Sequence, residues 1–423
     1  MSRFGRAFRA LSVASSCGFV TRAEGQSASG ARFGVMATGV VTRADPAYVG
    51  ESRTEAYLTQ PNMMTDVRHG VLQFVGTLNF EGFTLRRGEL NAGMYGEGYV
   101  DRRHPHTFVH EAVLSASSAS WRGARFSLSA GKGFTPYGTD DPMMRPFEKY
   151  PVNHHHAQII ERAVAVGAVQ WGSEMRGVSL EHGFFNGDEP VAPFNAPRWS
   201  RFGDSRATRL TVRALDGLEW QGSRAFVRSP GILQGGAFDH VQTSTSVRFD
   251  RPSMRHDRRY VLLEFARTDE SLGQRRVFRF ESALAEGLFE WHGASVALRG
   301  ERTERPENER LLDPFRTQAG HIDFQILGVT RWTIGTLALT APALTFRSVR
   351  TARVVPFIEI ARARPEARRL PTVFEPSQFY GSSTLWSLSA GIRVHAGTMR
   401  SRMGRYGVMS EALSATMSHM ASH

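Results

Sequence analysis

The sequence predicts an all-β protein: a transmembrane antiparallel β-barrel of about 16–18 strands. Three observations carry this expectation. First, apolar and polar residues alternate with period two from about Arg32 to Val394, the spacing of a strand with one apolar face. Second, the alternating segments run about nine to twelve residues. That exceeds the usual strand of a soluble sheet and is enough to cross a bilayer at a tilt. Third, the connections come in two sizes that roughly take turns, as the two rims of a membrane barrel require.

Three regions follow from these patterns. Residues 1–31 read as a signal peptide and linker. Arg3, Arg6 and Arg9 precede a short apolar stretch over 10–20, diluted by serines. Residues 32–394 form the barrel. Residues 395–423 are a tail rich in methionine and histidine, including Met399, Met403, Met409, Met417, His419, Met420 and His423. Either this tail hides a later strand or it hangs outside the barrel. The single cysteine, Cys17, excludes a disulfide framework within the chain.

Along the barrel, the stretch 71–81 sets Leu72, Phe74, Gly76, Leu78 and Phe80 against Gln73, Thr77, Asn79 and Glu81. The pattern recurs over 125–131 and 206–215, where Arg209, Thr211 and Arg213 oppose Leu210 and Val212. It recurs again over 277–284, with Arg279 and Glu281 on one face. The last clear strand spans 385–394, with Trp386, Leu388, Ala390, Ile392 and Val394 as its apolar row. About seventeen strands can be counted, one away from the even number a barrel needs when both ends leave at one rim. Short turns are expected at 86–88, 121–123, 171–173, 216–217 and 333–335. Long loops are expected at 44–70, 135–160, 186–205, 302–318 and 365–381. Trp121, Trp171, Trp220, Trp291, Trp332 and Trp386 sit near strand ends, where interfacial girdles place tryptophan.

The formal net charge is +12, and all but two of the 52 basic residues are arginine, the lysines being Lys132 and Lys149. These arginines are spread along the strands rather than gathered into a patch, so no nucleic-acid partner is expected. Arg316, Arg331, Arg347, Arg350, Arg353 and Arg362 would give an anion-attracting lumen if half point inward. Glu264, Glu281, Glu290, Asp323 and Glu359 make a mixed field an equal expectation. No apolar run reaches the length of a transmembrane helix.

The densest chemistry lies at 97–111. His104 and His106 are two apart and offer imidazoles to one ion, copper or zinc, with Asp101 or Glu111 behind them. The competing reading is a lumen network of Glu97, Asp101, Arg102, Arg103 and Glu111 that braces the wall without metal. His154, His155 and His156 form a second cluster in the central loop, preceded by Asp140, Asp141, Met143 and Met144. Thioether and imidazole suit copper(I); the alternative is a solvated or folded-in loop with no metal and no cofactor. Neither a Gly-x-Ser-x-Gly elbow, nor a phosphate loop, nor a His-Glu-x-x-His helix is present, so no enzyme is expected.

Several motifs recur together: Asp-Arg-Arg-His-Pro-His at 101–106, Met-Arg-Pro at 144–146, Pro-Val-Asn-His-His-His at 151–156, Phe-Asn-Gly-Asp-Glu-Pro at 185–190 and Arg-Phe-Gly-Asp-Ser at 201–205. As a set they resemble a family of uncharacterised bacterial outer-membrane barrel proteins with an Asp-Arg-x-His-Pro-His motif and a later His-His pair. The resemblance covers about 70–394, and His155 and His156 stand at the paired positions. The chain departs at Thr107, where the family often carries an acid. The resemblance implies an outer-membrane location, with heavy-metal or copper handling in some relatives.

The expectation is therefore a porin-like barrel in a bacterial outer membrane. Its partners would be the lipid bilayer and small solutes passing a polar, Arg-rich lumen, with a homotrimer as the candidate assembly. A metal-binding barrel using the histidines is the alternative, and a barrel enzyme ranks third.

Overall fold

A computed structural model describes residues 29–48, 51–84, 107–139, 142–151, 162–173, 176–190, 192–252, 257–308, 326–346, 349–369 and 375–410. The alternating segments form one antiparallel sheet: β1 (Gly30–Tyr48), β2 (Glu51–His69), β3 (Leu72–Asn79), β4 (Val109–Ser117), β5 (Ala124–Gly133), β6 (Arg162–Gly172), β7 (Gly177–Phe185), β8 (Ser205–Leu215), β9 (Leu218–Val227), β10 (Asp239–Pro252), β11 (Arg258–Leu272), β12 (Arg275–Trp291), β13 (Ala294–Asn308), β14 (Ile326–Thr340), β15 (Leu344–Phe346), β16 (Val349–Arg369) and β17 (Leu385–Gly397). Each strand pairs with its sequence neighbour, and β1 also pairs with β17 from Gly34↔Gly397 to Asp45↔Trp386. The sheet is thereby a closed cylinder. The three-residue β15 sits beside β16, while β14 pairs with β16 directly. Sixteen strands form the ring, inside the expected range, and the even number brings both ends of the barrel to one rim.

The two faces have inverted polarity relative to a soluble protein. On β5, Phe126 and Leu128 point out, Leu128 with 73 % of its surface exposed, while Ser127 and Ser129 are buried inside. On β11, Val261, Leu263 and Phe265 point out, while Glu264, Thr268 and Glu270 point in. On β17, Trp386, Leu388 and Ile392 face out and Ser387 and Ser389 in. A continuous band of apolar side chains on the outside of a closed barrel is a lipid-facing surface. Inside, neighbouring strands join hydroxyl to hydroxyl: Ser115 to Ser129 at 2.8 Å, Ser282 to Thr303 at 2.6 Å and Thr42 to Ser389 at 2.9 Å. Trp121, Trp171, Trp220 and Trp291 are exposed beside the short turns and mark one rim of the band.

Several expectations need correction. The stretch 44–70 is not a long loop; it holds the end of β1 and the whole of β2. Its alternation is hidden because the chain bulges at Gln60, with φ of 52°. Before the bulge Tyr57 and Thr59 face inward, after it Asn62, Met64 and Asp66 do, so the period slips by one. The Glu81 carboxylate accepts from Gln60 N and Thr59 Oγ1, both at 2.8 Å, and so satisfies the bulge. The stretch 333–335 is no turn but the middle of β14, where Gly335 pairs with Gly300. β13 runs on to Asn308 and β16 to Arg369, through segments that read as loops. Trp332 is fully buried on the inner face, its ring centroid 5.6 Å from that of Tyr380, and so is not a girdle residue. Arg362 faces outward with its guanidinium 5.5 Å from the centre of the Trp386 ring.

The lipid-facing band gives a direct test. Leu128→Arg should destabilise the barrel in lipid vesicles by about 2–4 kcal/mol, whereas Ser129→Ala on the adjacent inner position should cost far less. Denaturant titration of the folded barrel in vesicles reads both; equal effects would contradict the assigned faces.

Candidate functional site: an occupied lumen

Two segments that belong to no strand fill the interior. The first leaves the end of β5 and spans 134–151. It carries Pro136, Pro142, Pro146 and Pro151, which cannot donate to a ladder and keep it out of the sheet. It begins against the near wall. Tyr137 packs with Val164, Val166, Phe185, Ala207, Ala225 and Val227. Gly138 N donates to Ser223 Oγ at 3.0 Å. It then crosses to the far wall, where Arg145 donates to Glu264 at 2.9 Å and lies 3.8 Å from Glu286. The Phe147 ring sits 4.5 Å beneath the Arg299 guanidinium. The backbone N–H groups of Glu148 and Lys149 both donate to the Glu359 carboxylate at 3.0 Å, and Arg299 donates to Lys149 O at 2.8 Å. Arg393 pairs with Glu148. One carboxylate of β16 thus clamps two consecutive amides of the loop, a charge-assisted arrangement stronger than neutral bonds.

The second segment follows β17. At Gly397, with φ of +78°, the chain turns off the wall. A Cβ there would lie 2.2 Å from Phe33 O, so the turn needs glycine. Residues 398–410 then run through the lumen. Arg400 pairs with Glu111, and Arg402 makes a two-pronged contact with Glu219 at 2.9 and 3.0 Å. Arg405 lies 3.4 Å from Glu181, which Arg209 already grips at 2.6 and 2.7 Å. Arg405 also donates to Gln221. Tyr406 OH donates to Glu111 at 2.8 Å and accepts from Phe134 N at 2.8 Å. Burial and the Glu111 carboxylate push the Tyr406 phenol well up, so it stays a donor. Ser410 accepts from Gln73 at 2.8 Å and Arg68 at 3.0 Å. Over 398–410 the tail is therefore neither a strand nor a segment hanging outside.

The two segments touch. Met403 of the tail packs with Met143, Phe134 and Tyr150 of the loop and with Met64 of the wall. Thr139 O accepts from Arg402 at 3.4 Å and Arg405 at 3.2 Å. The lumen field is mixed in sign and largely paired. Lys149, enclosed by the loop and the wall, is held down to about 7 chiefly by burial, with Arg299 adding and Glu359 opposing.

Of the residues singled out from sequence, Glu111 is buried on the inner row of β4. Its Oε2 accepts from Thr77 at 2.8 Å, and its carboxylate joins β3, β4 and the tail. Glu97, Asp101, Arg102, Arg103, His104, His106, His154, His155 and His156 lie outside the described residues. Among the described residues no group of three or more His, Cys, Asp or Glu side chains is placed to hold a metal ion. Sequence reasoning missed Glu181, Glu219, Arg400, Arg402 and Arg405. The available signal was the spacing of three arginines in a tail with no acid over 398–410.

No protein-family model and no curated protein matches the chain. Among solved structures it is similar to the anion-selective porin from Comamonas acidovorans, at a TM-score of 0.52 and 10 % identity, over 88 % of this chain and 100 % of that one. Lower similarity is found to OmpT, an outer membrane protein of Vibrio cholerae, in its trimer form (0.47; 9 %; 88 % and 100 %), and to OccK2 (OpdF) of Pseudomonas aeruginosa in complex with glucuronate (0.38; 9 %; 87 % and 98 %). At such identity the likeness is one of architecture: this chain has the closed-barrel fold of a bacterial outer-membrane porin.

Proposed function

We propose that the chain is a porin-like barrel of the bacterial outer membrane that passes small solutes by diffusion, a conduit rather than a catalyst. One observation carries this reading. The outside of the cylinder is apolar, while the inside is lined by hydroxyls, carboxylates and guanidiniums and narrowed by an inward loop. Such an interior offers a passing solute hydrogen bonds in place of water. Purified, folded protein in planar bilayers should give stepwise currents in potassium chloride; a folded barrel that never conducts would end the proposal.

A homotrimer belongs to the same reading. Strands β3 to β9 have 8–11 residues, whereas β10 to β14 and β16 have 14–21. The low wall offers small outward positions at Gly76, Ala112, Ala130 and Gly167, which let the wall of another copy of the chain approach closely. Light scattering of the detergent complex checks the protomer number, and a monomer would reject the assembly.

Two further outcomes are expected. Glu359→Ala removes the acceptor of two backbone N–H groups and should loosen the loop by roughly 2–3 kcal/mol. Limited proteolysis of the folded barrel would read this as about tenfold or faster cleavage within 134–151. Lys149, held down to about 7, carries its charge below that pH and loses it above. Raising the pH from about 6 to about 8 should therefore remove positive charge from the lumen and lower the anion-to-cation permeability ratio. Lys149→Met should flatten that dependence, as read by reversal potentials across a salt gradient.

A further inference from the structure

Segment 398–410 carries Arg400, Arg402 and Arg405 and no acidic residue. Each arginine meets a glutamate on the inner wall: Glu111 on β4, Glu219 on β9 and Glu181 on β7. The Arg402–Glu219 contact joins two nitrogens to two oxygens at 2.9 and 3.0 Å. A planar guanidinium fits this fork and an ammonium does not. The surroundings are acceptors already aimed at N–H groups: Thr77 Oγ1 at 3.3 Å from Arg400, Thr139 O, and Gln221 Oε1.

The attachment of the segment is unlike that of the wall. Among the described residues, after Thr398 N donates to Phe33 O at 2.9 Å, the segment's backbone–backbone bonds are local turns, Met409 N to Tyr406 O and Ser410 N to Gly407 O, both at 3.0 Å. It is held by buried ion pairs, by the Tyr406 and Ser410 hydroxyls, and by apolar packing of Met403, Tyr406, Val408 and Met409 against the wall and the loop. The attraction in such pairs is offset by the cost of drying both charges; water can take either partner, and a competing cation can take the carboxylate. Gly397 supplies the pivot.

We propose that the inner wall of β4, β7 and β9 is a guanidinium-binding strip, filled at rest by the chain's own segment 398–410, and that solutes bearing a guanidinium group take the strip when the segment leaves it. This rests on the porin-like reading and adds a solute class and a tethered plug to it. Departure of the segment removes three positive charges from the lumen, uncovers Glu111 and frees one side of Glu219, whose Oε2 keeps Arg213 of β8 at 3.3 Å.

The test uses the full chain with L-arginine as the probe and L-lysine, of equal net charge, as the control. Arg400→Gln/Arg402→Gln/Arg405→Gln should raise unitary conductance by roughly threefold or more and shift selectivity toward cations. L-Arginine at roughly millimolar concentration should block that current, L-lysine about tenfold less well, and adding Glu111→Gln and Glu219→Gln should abolish the difference. A second measurement leaves the arginines in place. In a Cys17→Ser background, Val408→Cys reports burial of the segment, since Val408 is only 5 % exposed. L-Arginine should speed its labelling by a small maleimide, and L-lysine should do so less. Variant and wild type conducting alike, or arginine and lysine acting alike in both assays, would overturn the proposal and leave the segment a permanent brace. Folded barrels that conduct in no variant would sink the channel reading, while Val408→Cys labelling would still report on the strip.

Discussion

In hydrocarbon there is no water to satisfy a backbone N–H or C=O, and every other feature of this molecule follows from that. The pairing of β1 with β17 removes the last open edges of the sheet. Once the cylinder is closed, alternation divides its residues into two populations without further choice. Leu128, Phe265 and Leu388 go to lipid, while Ser129, Glu264 and Ser389 go inside. The bulge at Gln60 shows how strictly the rule binds. A single slip in period is corrected within the same strand, and a buried carboxylate is provided to hold it.

A polar interior creates a second requirement. Charges enclosed by a wall must be wet or paired, and this barrel pairs many of its own. The loop over 134–151 brings a cation to Glu264 and two amides to Glu359. The tail brings three cations to wall glutamates. The two fillers meet at Tyr406 and Met403, so a change in one is felt by the other. The interior is thus less a bare pipe than a set of mutually supporting ion pairs.

The cylinder was legible in the sequence because its cause is local: alternate side chains facing alternate ways need no knowledge of distant residues. The strand count was close, and the length of the central loop made an inward fold one of two alternatives, beside a solvated loop. Two things were hidden. The far ends of β13 and β16 are rich in charge, with Arg364, Glu366 and Arg368 standing exposed on β16, and so lose the apolar row that reveals a strand. The contacts that hold the tail in the lumen are not local at all. Arg402 and Glu219 are 183 residues apart in sequence, and Tyr406 and Glu111 are 295 apart. Periodicity says nothing about such distances. Glu111 itself stood out because it lies beside a conspicuous histidine run, whereas Glu181 and Glu219 look like ordinary polar strand positions.

The unequal strand lengths have an architectural result. At about 3.3 Å per residue, the 8 residues of β3 and the 21 of β16 differ by roughly 40 Å along the strand axis. Even after tilt, the described strands do not end at one height. They form a tall palisade on one flank and a shallow sill on the other. The crossing loop springs from the sill side and lands on the opposite wall, where Glu359 of β16 and Arg393 of β17 catch it. On the proposed conduit reading, a solute would meet a taller run of described strands on one side than on the other before any side chain inside had touched it.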